Sequence, residues 1–79
     1  MKLSNLPVNK EGIIVSVAGE NQLRCRLIDM GLIPKTKVKV VKLAPLGDPM
    51  QLHLRGYDLS IRKEDASFIE VEMIKGDDL

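Results

Sequence analysis

The chain has 79 residues, enough for one small domain, and 44% of them are apolar, so it has the means to build a core rather than stay disordered,. Twelve basic against eleven acidic residues leave a formal charge of +1, without the basic excess from which nucleic-acid binders of this size draw their affinity,. A lone Cys25 forbids an intrachain disulfide and suits a cytosolic setting, and no apolar run is long enough for a signal sequence or a membrane span,.

From Met1 to Pro7, Leu3 and Leu6 are spaced to pack a short extended strap against the body. Glu11-Gly12 reads as a turn. Ile13, Val15 and Val17 then alternate with Ile14, Ser16 and Ala18 in a β-branched strand expected to be mostly buried, closed by Ala18-Gly19,. Glu20-Asn21 opens a helix, with Glu20 near the positive end of its dipole. Leu23, Leu27 and Met30 fall at i, i+4 and i+7 on one helical face, while Arg24 and Arg26 lie off that stripe,. Cys25 is expected to be a buried or half-buried small hydrophobe. Gly31 stands where a helix end wants a left-handed residue, and Pro34 forces a turn.

At Lys37 the period changes to two, with Lys37 and Lys39 on one face and Val38 and Val40 on the other,. Val41 and Leu43 break that phase, so the strand either bulges near Val40-Val41 or is buried on both faces at its end. Met50, Leu52 and Leu54 alternate with Gln51, His53 and Arg55, and Tyr57, Leu59 and Ile61 with Asp58, Ser60 and Arg62. Arg55-Gly56-Tyr57 joins these two strands as a hairpin or a sharp bend. Lys63 to Ser67 predicts one helical or 3₁₀ turn, and Ile69, Val71 and Met73 a last strand with Glu70 and Glu72 outside. Residues 75–79 are expected to fray,. About five short strands with one apolar face each must close on one another, which predicts a mainly β, small SH3-like barrel of about five strands with an inserted helix. It forms a single domain over 1–79, with its core at about 6–74.

The chemistry-bearing residues do not assemble into a catalytic pattern. His53 lies on the polar face of a strand, with no spacing that suggests a nucleophile and an orienting carboxylate,. One cysteine and one histidine cannot complete a soft metal site, the methionines fall at the terminus or on core faces, and the glycines mark turns rather than a phosphate loop,. No enzymatic activity, metal site or cofactor is expected. What remains is the loop Ala44-Pro45-Leu46-Gly47-Asp48-Pro49. It is either a plain hairpin connection or a stiffened loop that presents Leu46 at low entropic cost, with Asp48 capping its own turn,. In the second reading Leu32, Ile33, Pro45, Leu46, Gly47 and Asp48 form a partner-binding patch. A rival reading takes Lys37, Lys39, Lys42 and Arg55 as a basic stripe for nucleic acid, against which stand the near-neutral charge and the two lone aromatics, Tyr57 and Phe68,. Too few aromatics also count against a proline-rich peptide groove.

The runs DMGLIP, VKVVKLAPLGDP and LRGYDLSIRKEDASFIEV, spread from about Leu6 to Val71, resemble the FeoA family, small cytosolic proteins of bacterial ferrous iron uptake. The resemblance implies an SH3-like barrel with a helical insertion and a membrane partner, the GTP-binding ferrous iron transporter FeoB. It further implies that the chain works by protein–protein contact, regulating the transporter's assembly or activity. Its place would be cytoplasmic, drawn to the inner membrane face by that partner without inserting, and with weak self-association. The association with transition metals is the family's, not read from ligands here. A similar domain ends the metal-dependent repressors of the diphtheria toxin regulator type, so a stand-alone relative of that domain is an alternative. Family members usually have glycine after the position of Pro34, whereas this chain has Lys35, which must take positive φ or shift the turn to type I,.

Overall fold

Alternation of apolar and polar residues produces five antiparallel strands in a single sheet in the computed structural model, which describes residues 1–74. The expected fraying of 75–79 lies outside the described residues. The strands are β1 (Glu11–Val17), β2 (Lys37–Leu43), β3 (Met50–Leu54), β4 (Tyr57–Ile61) and β5 (Ile69–Met73), in the spatial order β4-β3-β2-β1-β5. Helix α1 (Asn21–Asp29) is inserted between β1 and β2, and a single turn of helix, α2 (Lys63–Ala66), between β4 and β5. Two bulges interrupt the ladders, one between Ile14 and Ser16 and one between Val40 and Lys42. The second resolves the phase break in β2: Val38 and Val40 point inward before it, and the extra residue brings Leu43 onto the same face, opposite the buried Met50, while the strand bends,. Inside the curled sheet, Ile14, Val38, Val40, Leu52, Leu54, Ile69 and Val71 are buried together, with Leu27 and Leu32 closing the core.

Three local expectations need correction. Glu11-Gly12 is no turn: it begins β1, pairing with Lys39 and Val38. Gly12 is there because a Cβ would press on Leu6, Val71 and the Glu72 carbonyl,. The N-terminal strap is not extended but a 3₁₀ turn over Leu3–Asn5. It still buries Leu3 and Leu6, and Met1 and Lys2 cover the outer edge of β5 through the Val71 N–H bond to the Met1 carbonyl (2.7 Å) and the Lys2–Glu70 bridge,. The first strand is buried on one face only, with Val15 exposed, and Met73 at the end of β5 is exposed as well.

Helix α1 ends as its sequence demands. Gly31 takes φ +99°, its N–H bonds the Ile28 carbonyl (2.9 Å), and the Leu32 N–H bonds the Leu27 carbonyl (3.0 Å). That bond pair is a Schellman motif, in which the residue after the glycine packs back on the third residue from the helix end. Leu27 and Leu32 are both fully buried for this reason. Four residues after Gly31 the chain keeps its turn by placing Lys35 at φ +74°, the first of the two alternatives at this position. Arg55 (φ +49°) and Gly56 (φ +86°) form the two-residue hairpin turn between β3 and β4, with the positive φ at both positions that a type I′ turn requires,.

Candidate functional site

The loop between β2 and β3 is built by two backbone bonds. The Gly47 N–H bonds the Ala44 carbonyl (2.7 Å), closing a turn with Pro45 and Leu46 at its corners, and the Ala44 N–H bonds the Pro49 carbonyl (3.0 Å) across the loop base,. Gly47 accepts φ +87° at the turn's exit, where a Cβ-bearing residue would be strained,. With both corners fixed, Leu46 projects outward and is 95% exposed. Among the described residues no other exposed large apolar residue stands nearly so far out; the next, Val15, is 51% exposed. A hollow of about 310 Å³ opens beside the loop, walled by Leu43, Pro45, Pro49 and the stem of Lys42,.

Asp48 does not cap its own turn. Its Oδ1 accepts the backbone N–H of Lys63 at 2.9 Å, so the carboxylate caps the start of α2 and ties the loop to a different part of the chain,. The N-terminal residue of that helix turn, Arg62, supplies no side-chain cap of its own.

The structure therefore brings Pro45, Leu46, Gly47 and Asp48 together and removes two of the sequence-predicted contacts from their company. Leu32 is fully buried and cannot touch a partner. Its signal was in the sequence: a leucine one position past a helix-ending glycine is the hydrophobe that a Schellman motif folds inward. Ile33 is half-buried and precedes β2, whereas the loop follows it. Seven strand residues at roughly 3.3 Å each put about 20 Å between them, so Ile33 is not part of one patch with Leu46,. Cys25, expected to be at least half-buried, is exposed on α1.

Of the titratable groups, His53 is exposed and its Nδ1 shares a short hydrogen bond with Asp58 Oδ1 across the β3–β4 pair. That bond, helped by the imidazole's charge and by Gln51, holds the Asp58 carboxyl below its usual value,. Among the described residues no three His, Cys, Asp or Glu side chains converge as a metal site would need, and no helix is long and apolar enough to cross a membrane.

The model of the FeoA domain family matches residues 1–73. A fusion of Fe(2+) transport protein A with the Fe(2+) transporter FeoB from Porphyromonas gingivalis is 40% identical over 74 residues. That match takes in 94% of this chain but only 9% of the much longer relative. The solution structure of FeoA protein from Chlorobium tepidum superposes with a TM-score of 0.88 at 41% identity, covering 99% of this chain and 74% of that one. FeoA from Stenotrophomonas maltophilia, described as a prokaryotic SH3 domain protein and solved with zinc, superposes with a TM-score of 0.79. At 24% identity over 91% of this chain and 89% of that one, it speaks for the SH3-like fold alone.

Proposed function

This chain belongs to the FeoA family, associated with ferrous iron transport, and we propose that it acts there as a non-catalytic docking module for the cytosolic part of FeoB. The observation that carries this reading is Leu46, an apolar side chain displayed almost completely to solvent on a loop with no freedom to retract it. Leaving a leucine in water forgoes roughly 1.5–3 kcal/mol of burial, which a partner's apolar cleft would recover. Because the loop is already fixed by its turn, its two prolines and the Asp48–Lys63 bond, little further entropy is lost on docking,. The fused arrangement in the Porphyromonas gingivalis relative, which keeps a FeoA part beside a FeoB part in one polypeptide, supports FeoB as the partner. In this reading the module works in the cytoplasm, is held at the inner membrane face only while docked, and adjusts the transporter's assembly or activity. Pro45 and Gly47 shape the knob, and Asp48 fixes its direction.

The test is titration of the purified cytosolic domain of FeoB with this chain and with Leu46→Asp. The variant should fold with unchanged stability, since the side chain packs on nothing, and bind at least tenfold more weakly,. Equal affinity of the two proteins would remove the loop from the interface.

A further inference from the structure

The outer face of the sheet, at the end of β2 away from Leu46, holds a positive hollow for which docking has no use. Glu11 pairs with Lys39, Lys39 with His53 and His53 with Asp58, so four titratable side chains stand in one row across four strands,. Lys37 shares the face of Lys39, and Arg55, in the turn that follows β3, lines the same hollow. The nearest carboxylate to Lys37 is Glu11, at a loose 4.0 Å, while Asp58 is engaged with His53.

Glu11, Lys37, Lys39, His53 and Arg55 line an indentation of about 300 Å³. Lys37, Lys39 and Arg55 against Glu11 give it a formal charge of +2, with His53 and Asp58 paired to each other and set aside, in a chain whose total is only +1. One of those cations is held in place: Arg55 Nη2 donates to the hydroxyl of the buried Thr36 at 3.0 Å, which orients the guanidinium and leaves its other N–H groups available,. The backbone makes the same point. Arg55 takes a left-handed conformation that asparagine or glycine would adopt with less strain, and so does Lys35, next to Thr36,. Two basic residues are thus kept at the same corner at a conformational cost.

We propose that this hollow binds a phosphate group. The planar fork of Arg55 matches a phosphate's oxygens in pairs, while Lys37 and Lys39 act as point charges on either side. A phosphate monoester, with its charge of about −1.5 to −2, balances the hollow where a single carboxylate would not. The group is carried either by a small soluble phosphate compound or by an anionic lipid headgroup. The site stands apart from Leu46 and does not depend on docking there.

Amide NMR titration of the full chain with inorganic phosphate, against sodium chloride of matched ionic strength, tests the site. Saturable shifts are expected at Lys37, Lys39, His53 and Arg55 that chloride does not reproduce. Arg55→Asn suits the left-handed turn while removing the charge, and should weaken phosphate binding at least tenfold without loss of fold; Lys37→Gln should weaken it independently. Sedimentation with phosphatidic acid vesicles, compared with phosphatidylcholine vesicles, then separates the sources. Retention that Arg55→Asn abolishes assigns a lipid headgroup, and its absence beside a saturable phosphate response assigns a soluble ligand. Shifts that follow ionic strength alone, spread evenly over the lysines, or persist unchanged in both variants would overturn the proposal.

Discussion

Gly31 combines two demands that no other residue type meets. Its φ of +99° lies in the left-handed region, and a Cβ there would overlap the hydroxyl of Tyr57, which donates to the Met30 carbonyl. That carbonyl is one of the helix-end acceptors that α1 leaves open, so the tyrosine finishes what the glycine begins. Gly31→Ala should therefore cost about 1–2 kcal/mol in backbone strain, and about 1 kcal/mol more for the displaced hydrogen bond. Tyr57→Phe should cost only the latter. Urea unfolding of both single variants and the pair tests this. The double variant should be less destabilised than the two losses added together, because removing the hydroxyl clears space for the new methyl group. Strict additivity would mean that the two groups do not meet.

Between elements, the decisive contact is the one from Asp48 to α2. A helix of four residues has no stability of its own, and its N-terminal N–H groups have no local cap,. The carboxylate arriving from fifteen residues upstream supplies one and places a negative charge at the helix start,. Asp48→Ala should destabilise the fold by about 1 kcal/mol. It should also speed hydrogen exchange at the Lys63 amide and lower the order parameter of Leu46, while Asp48→Asn, which keeps the acceptor, should do neither fully. A Lys63 amide equally protected in Asp48→Ala would show that the tie holds nothing. The sequence displayed the ends of this contact but not the contact. Proline, glycine and aspartate mark a turn by local chemistry, whereas a cap from another element leaves no periodic trace. The same limit explains Gly12, whose reason for being glycine is the approach of the Glu72 carbonyl and Val71 from β5, at the far end of the described chain. The strands, by contrast, were legible because one buried face imposes a period of two, and even the bulge in β2 announced itself as a phase break at Val40-Val41,.

At the scale of the whole molecule, one curled sheet separates an interior of aliphatic side chains from an exterior on which, among the described residues, Leu46 is the most exposed large apolar group. The sequence allowed Leu32 and Leu46 to be taken for one surface, since both flank glycines in turns. The fold divides them: the glycine before Leu32 turns the chain back onto α1, while the turn before Gly47 sends Leu46 out. That division predicts opposite phenotypes. Leu32→Ala removes a fully buried side chain beside Leu27 and should cost about 2–5 kcal/mol,. A domain of 79 residues has roughly 4–12 kcal/mol to lose,. Leu46→Asp should leave unfolding unchanged and lose FeoB affinity, whereas Leu32→Ala should lose stability and keep its affinity once the unfolded fraction is subtracted. Leu32→Val, which leaves a smaller void, should fall between wild type and Leu32→Ala in stability with the same intact binding. Calorimetric binding to the FeoB cytosolic domain at a temperature where all the variants are folded separates the two axes. A Leu32 variant that is folded but binds weakly would mean that the partner senses the packing of α1 through the barrel, and that the docking surface extends beyond the knob.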